Sequence, residues 1–378
     1  MIMQFRDLQK QYQVLKKNMD EEIQQVLTQA NFISGAQVSE LEQMLADYVG
    51  VKHCITCANG TDALSLALMV WNIGPGDAVF VPDFTFFSTG EVVAARGAVP
   101  VFVDVDTDTF NMDADSLEKA ILKVQEEGKL KPRVIAPVDL FGCPADYDRI
   151  LPIAKKYSLL VLEDAAQGFG GSLHGKKSCR FGDISTTSFF PAKPLGCYGD
   201  GGAVFTNDDE WARLLKSYRI HGKGDNKYDN VRIGLNSRLD TLQAAILKVK
   251  LKAFADHELT DVNTVADKYT EKLRNIVKVP EIPEGYYSSW AQYTIQLKDE
   301  KERDGLQAYL KEKNIPSMIY YPKAMHRQEA FAGLDTQKVA LNFTETLCRT
   351  VLSLPIHPYM EDVEIGEVCE AVVAFMKK

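Results

Sequence analysis

Residues 159–206 read LLVLEDAAQGFGGSLHGKKSCRFGDISTTSFFPAKPLGCYGDGGAVFT. The apolar run 159–162 predicts a strand buried on both faces, and it ends on Glu163 and Asp164. A second strand-like run, 184–189, opens into the loop 190–202, and a third, 203–206, follows. The loop holds four Gly and two Pro in thirteen residues. Lys193 lies between Pro191 and Pro194, on a constrained backbone. Rigid placement suits an amine nucleophile; a surface turn with an exposed lysine is the other reading. The loop is neither a dinucleotide fingerprint, because its glycines are in the wrong order, nor a Walker loop, because no Ser or Thr follows the lysine. Asp164 precedes Lys193 by 29 residues, one crossover unit, so both can stand on one sheet edge. An Asp there can equally cap the next turn.

Working outward, the first 240 residues alternate strand-like runs (53–57, 78–82, 99–105, 133–140) with helix-like segments (61–71, 88–96, 115–127, 146–157, 209–219). That alternation predicts a mostly parallel sheet covered by helices, with ligands at the carboxyl ends of its strands. Asn59-Gly60-Thr61-Asp62-Ala63-Leu64 follows a strand and opens a helix, with Thr61 as the expected N-cap. A glycine there lets backbone N–H groups approach an anion; a plain capped helix is the alternative. From Arg238 the pattern changes to a long amphipathic helix, 239–251. Strands at 287–297 and 315–321 and helices at 301–313, 339–349 and 362–376 then suggest a smaller domain. The expected division is 1–250 and 251–378.

The chain has 378 residues, 46% of them hydrophobic and 25% charged, which is ordinary globular composition. Its net charge of −9 disfavours non-specific nucleic-acid binding. Residues 1–17 hold no apolar signal core, and no run approaches the ~20 residues of a membrane span. Seven scattered cysteines argue against a disulfide framework, so a reducing cytoplasm is expected. Cys54-x-x-Cys57 lies inside a strand run without a second pair, and no H-E-x-x-H is present, so no metal site is expected. The absence of G-x-S-x-G disfavours an α/β-hydrolase.

Several motifs occur together in order: Phe5-Arg6-Asp7-Leu8, Phe32-Ile33-Ser34-Gly35 followed by Leu41-Glu42, residues 59–64, 163–167 and 188–202, Asn236-Ser237-Arg238-Leu239-Asp240, and Tyr321-Pro322. With these the chain resembles, nearly end to end, the DegT/StrS family of nucleotide-sugar aminotransferases. The resemblance implies the α/β fold type I of pyridoxal phosphate-dependent transferases, the aspartate aminotransferase-like fold. It has a large domain with a mostly parallel central sheet and a smaller C-terminal α/β domain. The implied cofactor is pyridoxal 5'-phosphate, with pyridoxamine phosphate as its other form. Lys193 would bond to it covalently and shuttle the proton, and Asp164 would pair with its ring nitrogen, since a buried carboxylate can hold a pyridine nitrogen protonated. Gln167 would lie near its phenolic oxygen and Phe86 would stack on the ring. Gly60, Thr61 and Ser188 would hold its phosphate, and Asn236 would reach the phosphate in a neighbouring subunit. Arg238, Tyr320, Tyr321 and His326 would face the substrate. Tyr320-Tyr321-Pro322 has Tyr where relatives often carry His.

The resemblance further implies glutamate and a nucleotide-linked keto sugar as substrates, and a homodimer with shared sites. The expected acceptor is a UDP-linked 2-acetamido-3-keto hexuronate aminated at C3, for cell-surface polysaccharide; a UDP- or dTDP-linked 4-keto-6-deoxy sugar is the alternative. Sugar 3-dehydratases of the family carry His in place of the lysine, and Lys193 disfavours that reaction. A non-catalytic protein on the same scaffold is disfavoured because Lys193 and Asp164 are both present.

Overall fold

The computed structural model describes residues 3–226 and 228–377. Two helices open the chain, α1 (Leu8–Gln29) and α2 (Ala36–Val49). The alternating region follows as β1 (His53–Cys57), α3 (Gly60–Val70), β2 (Asp77–Pro82), α4 (Ser88–Ala95), β3 (Val99–Val103), α5 (Ala114–Glu127), β4 (Lys131–Ile135), α6 (Tyr147–Tyr157) and β5 (Leu160–Asp164). After the short β6 (Ser172–Leu173) and β7 (Lys176–Lys177) come β8 (Ile184–Ser188), β9 (Gly202–Thr206) and α7 (Asp209–Tyr218). Next are α8 (Thr241–Ala253), a π-helical turn (Phe254–Glu258) and α9 (Leu259–Leu273). The remainder is β10 (Tyr286–Tyr287), β11 (Tyr293–Gln296), α10 (Glu300–Glu312), α11 (Asn342–Thr350), β12 (Val351–Leu354) and α12 (Asp362–Met376).

Seven strands form one sheet in the order β1-β9-β8-β5-β4-β2-β3. All neighbours are parallel except the two pairs that β9 makes, with β1 and with β8. The exception has a local cause. Parallel neighbours need a crossover, usually a helix, whereas β8 and β9 are joined by a glycine-rich loop that turns the chain straight back. That loop carries Lys193. The sheet is sandwiched: α3 and α4 cover one face with a core that includes Leu66, Val81 and Val204, and α5 and α6 cover the other around Phe80, Ile121 and Tyr147. Fully buried strands such as β2 read as continuous apolar runs for this reason. Caps sharpen the helix starts: Asp113 accepts from Ser116 N–H and Asp146 from Arg149 N–H.

A second core gathers α9, α10, α12, β11 and β12, with Tyr269, Tyr293, Leu306 and Val368 buried in it; Met3 from the start of the chain joins it. No helix among the described residues is long and apolar enough to cross a membrane.

Several boundaries depart from expectation. α3 starts at Gly60, not Thr61, and its cap is Asn59, whose side chain accepts from Asp62 N–H at 2.8 Å. In the run 133–140 the strand ends at Ile135, Val138 makes an isolated parallel bridge to Asp164, and Leu140–Gly142 form a 3₁₀ turn. The run 287–297 is two strands, because Trp290 adopts a left-handed φ of 48° between them. The run 315–321 is not a strand. Its one bridge joins Met318 to Ser353, and Pro316 and Pro322 limit the ladder it can make. α1 escaped the pattern reading because it buries only Gln11, Met19 and Val26, too thin an apolar stripe to stand out.

Candidate active site

β5 and β8 are parallel neighbours with Asp164 beside Thr186, so their carboxyl ends open at the same edge. Asp164 is the last residue of β5. It is 5% exposed, and it accepts from Thr89 Oγ1 at 2.8 Å and from Ala166 N–H at 3.2 Å. Burial raises the pKa of its carboxyl, while those two donors and the charge of Lys193 pull it back. Lys193 follows β8 by five residues and is half-buried, with its N–H on the Phe190 carbonyl at 2.8 Å. Burial pushes the pKa of its amine down to about 8, against the pull of Asp164 and helped by the charge of Arg6.

Both groups line a cavity of about 690 Å³, together with Gly60, Thr61, Phe86, Gln167, Ser188, Tyr320 and Tyr321. The fold therefore brings nine of the twelve expected residues together around that space. The first turn of α3 points into it. The leading N–H groups of a helix lack intrahelical partners, and Asn59 satisfies only that of Asp62. A Cβ on Gly60 would stand 2.8 Å from the Ser188 Cβ, so glycine alone leaves this hollow open. Thr61 Oγ1 and Ser88 Oγ share a hydrogen bond of 2.8 Å at its rim. Such a hollow fits a phosphate.

Gln167 is held at both ends: its Oε1 accepts from Phe141 N–H at 2.9 Å, and its Nε2 donates to the Tyr321 hydroxyl at 2.9 Å. This orients the amide and ties β5's end to the C-terminal part of the chain. Burial raises the pKa of the Tyr321 phenol. Phe86 is 54% exposed, its ring 6.4 Å from that of Tyr321, leaving a flat face toward the cavity. Gln292 also lines the space, and its Oε1 is buried without a hydrogen-bond partner. A hollow rich in backbone N–H groups, an exposed aromatic face, a buried carboxylate and an amine fit a phosphorylated, positively charged pyridine ring that carries an aldehyde.

Three expected residues stand elsewhere. His326 does not line the cavity. Its Nδ1 meets the buried Asp83 at 2.6 Å and its Nε2 meets Glu345 at 3.2 Å. Asn236 is exposed, in a bridge with Ile220. Arg238 lines a separate groove of about 1040 Å³ with Ile33, His221, Lys223 and Arg232. Thr89 and Gln292 were not anticipated from sequence. Their only signals are a threonine in a first helical turn and a glutamine near a tryptophan.

Comparison with known proteins identifies the family. A model of the DegT/DnrJ/EryC1/StrS aminotransferase family matches residues 13–373. The chain is 44% identical to UDP-2-acetamido-2-deoxy-3-oxo-D-glucuronate aminotransferase of Pseudomonas aeruginosa, over 98% of this chain and 99% of that protein. It is 48% identical to a DegT/DnrJ/EryC1/StrS aminotransferase from Brucella abortus whose crystal structure superimposes with a TM-score of 0.97, covering 100% of both chains. A structure of NtdA from Bacillus subtilis with bound cofactor PMP is 29% identical, with a TM-score of 0.87 over 99% of this chain and 83% of that one.

Proposed function

The chain belongs to the DegT/DnrJ/EryC1/StrS aminotransferase family, and from that premise we propose that it uses pyridoxal phosphate to move an amino group from glutamate to the C3 carbonyl of a UDP-linked 2-acetamido-3-keto hexuronate. The observation that carries the reading is the shared cavity edge of Asp164 and Lys193 above the open N-terminus of α3. The 44% identical relative named for a UDP-3-oxo-glucuronate supports the acceptor.

When bound, the cofactor supplies a conjugated ring that accepts the electron pair left as a proton departs from the carbon bearing the amine. The residues do the rest. Gly60, Thr61 and Ser188 hold the phosphate, and Phe86 covers the ring face. Asp164 keeps a proton on the ring nitrogen, which requires its carboxylate; Thr89 and Ala166 N–H favour that form. Gln167, fixed by Phe141 and Tyr321, would offer its remaining amide N–H to the phenolic oxygen. Lys193 anchors the cofactor at rest. Its Nζ, when free, would take the proton from the carbon that bears the amine and hand it back on the far side of the nitrogen. A pKa near 8 leaves part of the amine neutral at neutral pH, as a base must be.

Asn236 and Arg238 lie away from their own chain's cavity, and Val231 and Ile233 beside them are 53% and 90% exposed. We infer a homodimer in which these residues serve the partner's site, with Arg238 on the substrate carboxylate through its planar fork.

The test is an absorbance spectrum of the protein with pyridoxal phosphate before and after glutamate. A visible band that glutamate abolishes, and that K193A lacks, is expected. UDP- and dTDP-linked keto sugars, read by product mass, then identify the acceptor. The same glutamate response in K193A overturns the reading.

A further inference from the structure

Phe5-Arg6-Asp7-Leu8 has no part in the chemistry above, yet it threads between the two cores. Met3 is buried in the C-terminal core. The Phe5 carbonyl accepts from Ile356 N–H at 3.3 Å, and the Phe5 ring meets Tyr320 edge-on at 6.3 Å. Asp7 caps α1 by accepting from Lys10 N–H at 2.8 Å. Between them, Arg6 Nη2 donates to the Pro194 carbonyl at 3.1 Å, one residue beyond Lys193. Glu258, the carboxylate that weighs on Arg6, is already engaged by Gln11 and Tyr359.

We propose that Arg6 is a positioning residue for Lys193: its hydrogen bond to the Pro194 carbonyl anchors the loop and holds a second positive charge against the residue that follows the lysine. A lysine beside another cation is activated in this way. The groups facing Lys193 are Asp164 at the end of β5, Asp200 on its own loop, Tyr320, Tyr321 and Lys323 across the cavity, and Arg6 behind. Of these, Asp164 favours the charged amine and Arg6 opposes it. The inference rests on Lys193 being the reactive amine.

The experiment uses the full-length protein without cofactor. Trinitrobenzenesulfonate labels amines across the neutral and alkaline range, and the Lys193 peptide is quantified by mass. R6Q removes the charge and, being two bonds shorter, the reach to the Pro194 carbonyl; R6K is also shortened but keeps the charge, so the pair separates charge from anchorage. R6Q is expected to slow Lys193 labelling near neutral pH by roughly threefold, the effect of a half-unit rise in its midpoint, with R6K close to the parent. Equal profiles for R6Q and parent, or equal losses in R6Q and R6K, overturn the proposal. Because the label reads the amine directly, a protein that shows no visible band with pyridoxal phosphate would overturn the cofactor reading alone.

Discussion

Thr89 Oγ1 donates a hydrogen bond of 2.8 Å to Oδ2 of Asp164, joining the first turn of α4 to the end of β5. The two residues are 75 apart in the chain. The bond favours the ionised carboxylate at a place where burial opposes it. T89V is nearly isosteric and removes the donor. The acid limb of kcat/KM against pH should move to higher pH, while T89S stays near the parent. A T89V profile that overlays the parent's would exclude this role for Thr89.

Gly60 faces Ser188 too closely for a side chain. G60A must push Ser188 or the first turn of α3 aside, so it should cost some stability as well as reshape the hollow. Its methyl should weaken pyridoxal phosphate binding by roughly tenfold, about 1.4 kcal/mol, measured by titration of Tyr and Trp fluorescence. Unchanged affinity would place the phosphate elsewhere.

Lys193 carries a stability cost that follows from its lowered pKa. The ordinary value is 10.5 and the folded value about 8. Above both the amine is neutral in either state and nothing is lost. As pH falls between them the unfolded chain binds the proton first, so stability declines and stays lower at neutral pH. K193M without cofactor should therefore be more stable than the parent at neutral pH. The gain should be about 1–2 kcal/mol, allowing for water's screening of a half-buried amine. The advantage should vanish at strongly alkaline pH. Urea unfolding at several pH values reads this directly.

His326 pairs with the buried Asp83, which also accepts His326 N–H at 2.8 Å. The Asp83 hydrogen bond raises the histidine's pKa. Its contribution is full below the ordinary value of 6.5 and is lost as pH rises through the raised one. H326A should cost about 3 kcal/mol, because it strands a buried carboxylate. The deficit should be largest at mildly acidic pH. An H326A protein of parental stability that has lost sugar binding would return His326 to the substrate pocket.

Much of the frame was legible in the chain. The runs of β1, β2, β5 and β9, rich in apolar residues, and the β-branched run of β8 are short and bounded by turn residues, so they announce themselves. The glycine and proline content of 190–202 marked a place where the chain turns straight back instead of crossing over. Its consequence, the antiparallel β9, follows from the missing helix. Lys193, Asp164, Gly60, Phe86 and Gln167 could be singled out because each belongs to a motif. Thr89, Gln292 and the Phe141–Gln167–Tyr321 chain could not, since they are placed by the meeting of distant segments with no local pattern of their own. His326 looked like a pocket residue in sequence because nothing local reveals that Asp83 waits for it.

By itself, then, the sequence determined most strands and helices of the large sheet and their mostly parallel sense, because periodicity, glycine placement and proline act over a few residues; the cap of α3, the helix α1 and the irregular run 315–321 were not among them. The tertiary structure decided which side chains meet. Asp164 lies beside Thr89 and across from Tyr321, and Arg6 reaches the Pro194 carbonyl 188 residues away. Those meetings depend on how crossover helices and the second core pack, and packing is set by the summed shape of many side chains rather than by any short stretch.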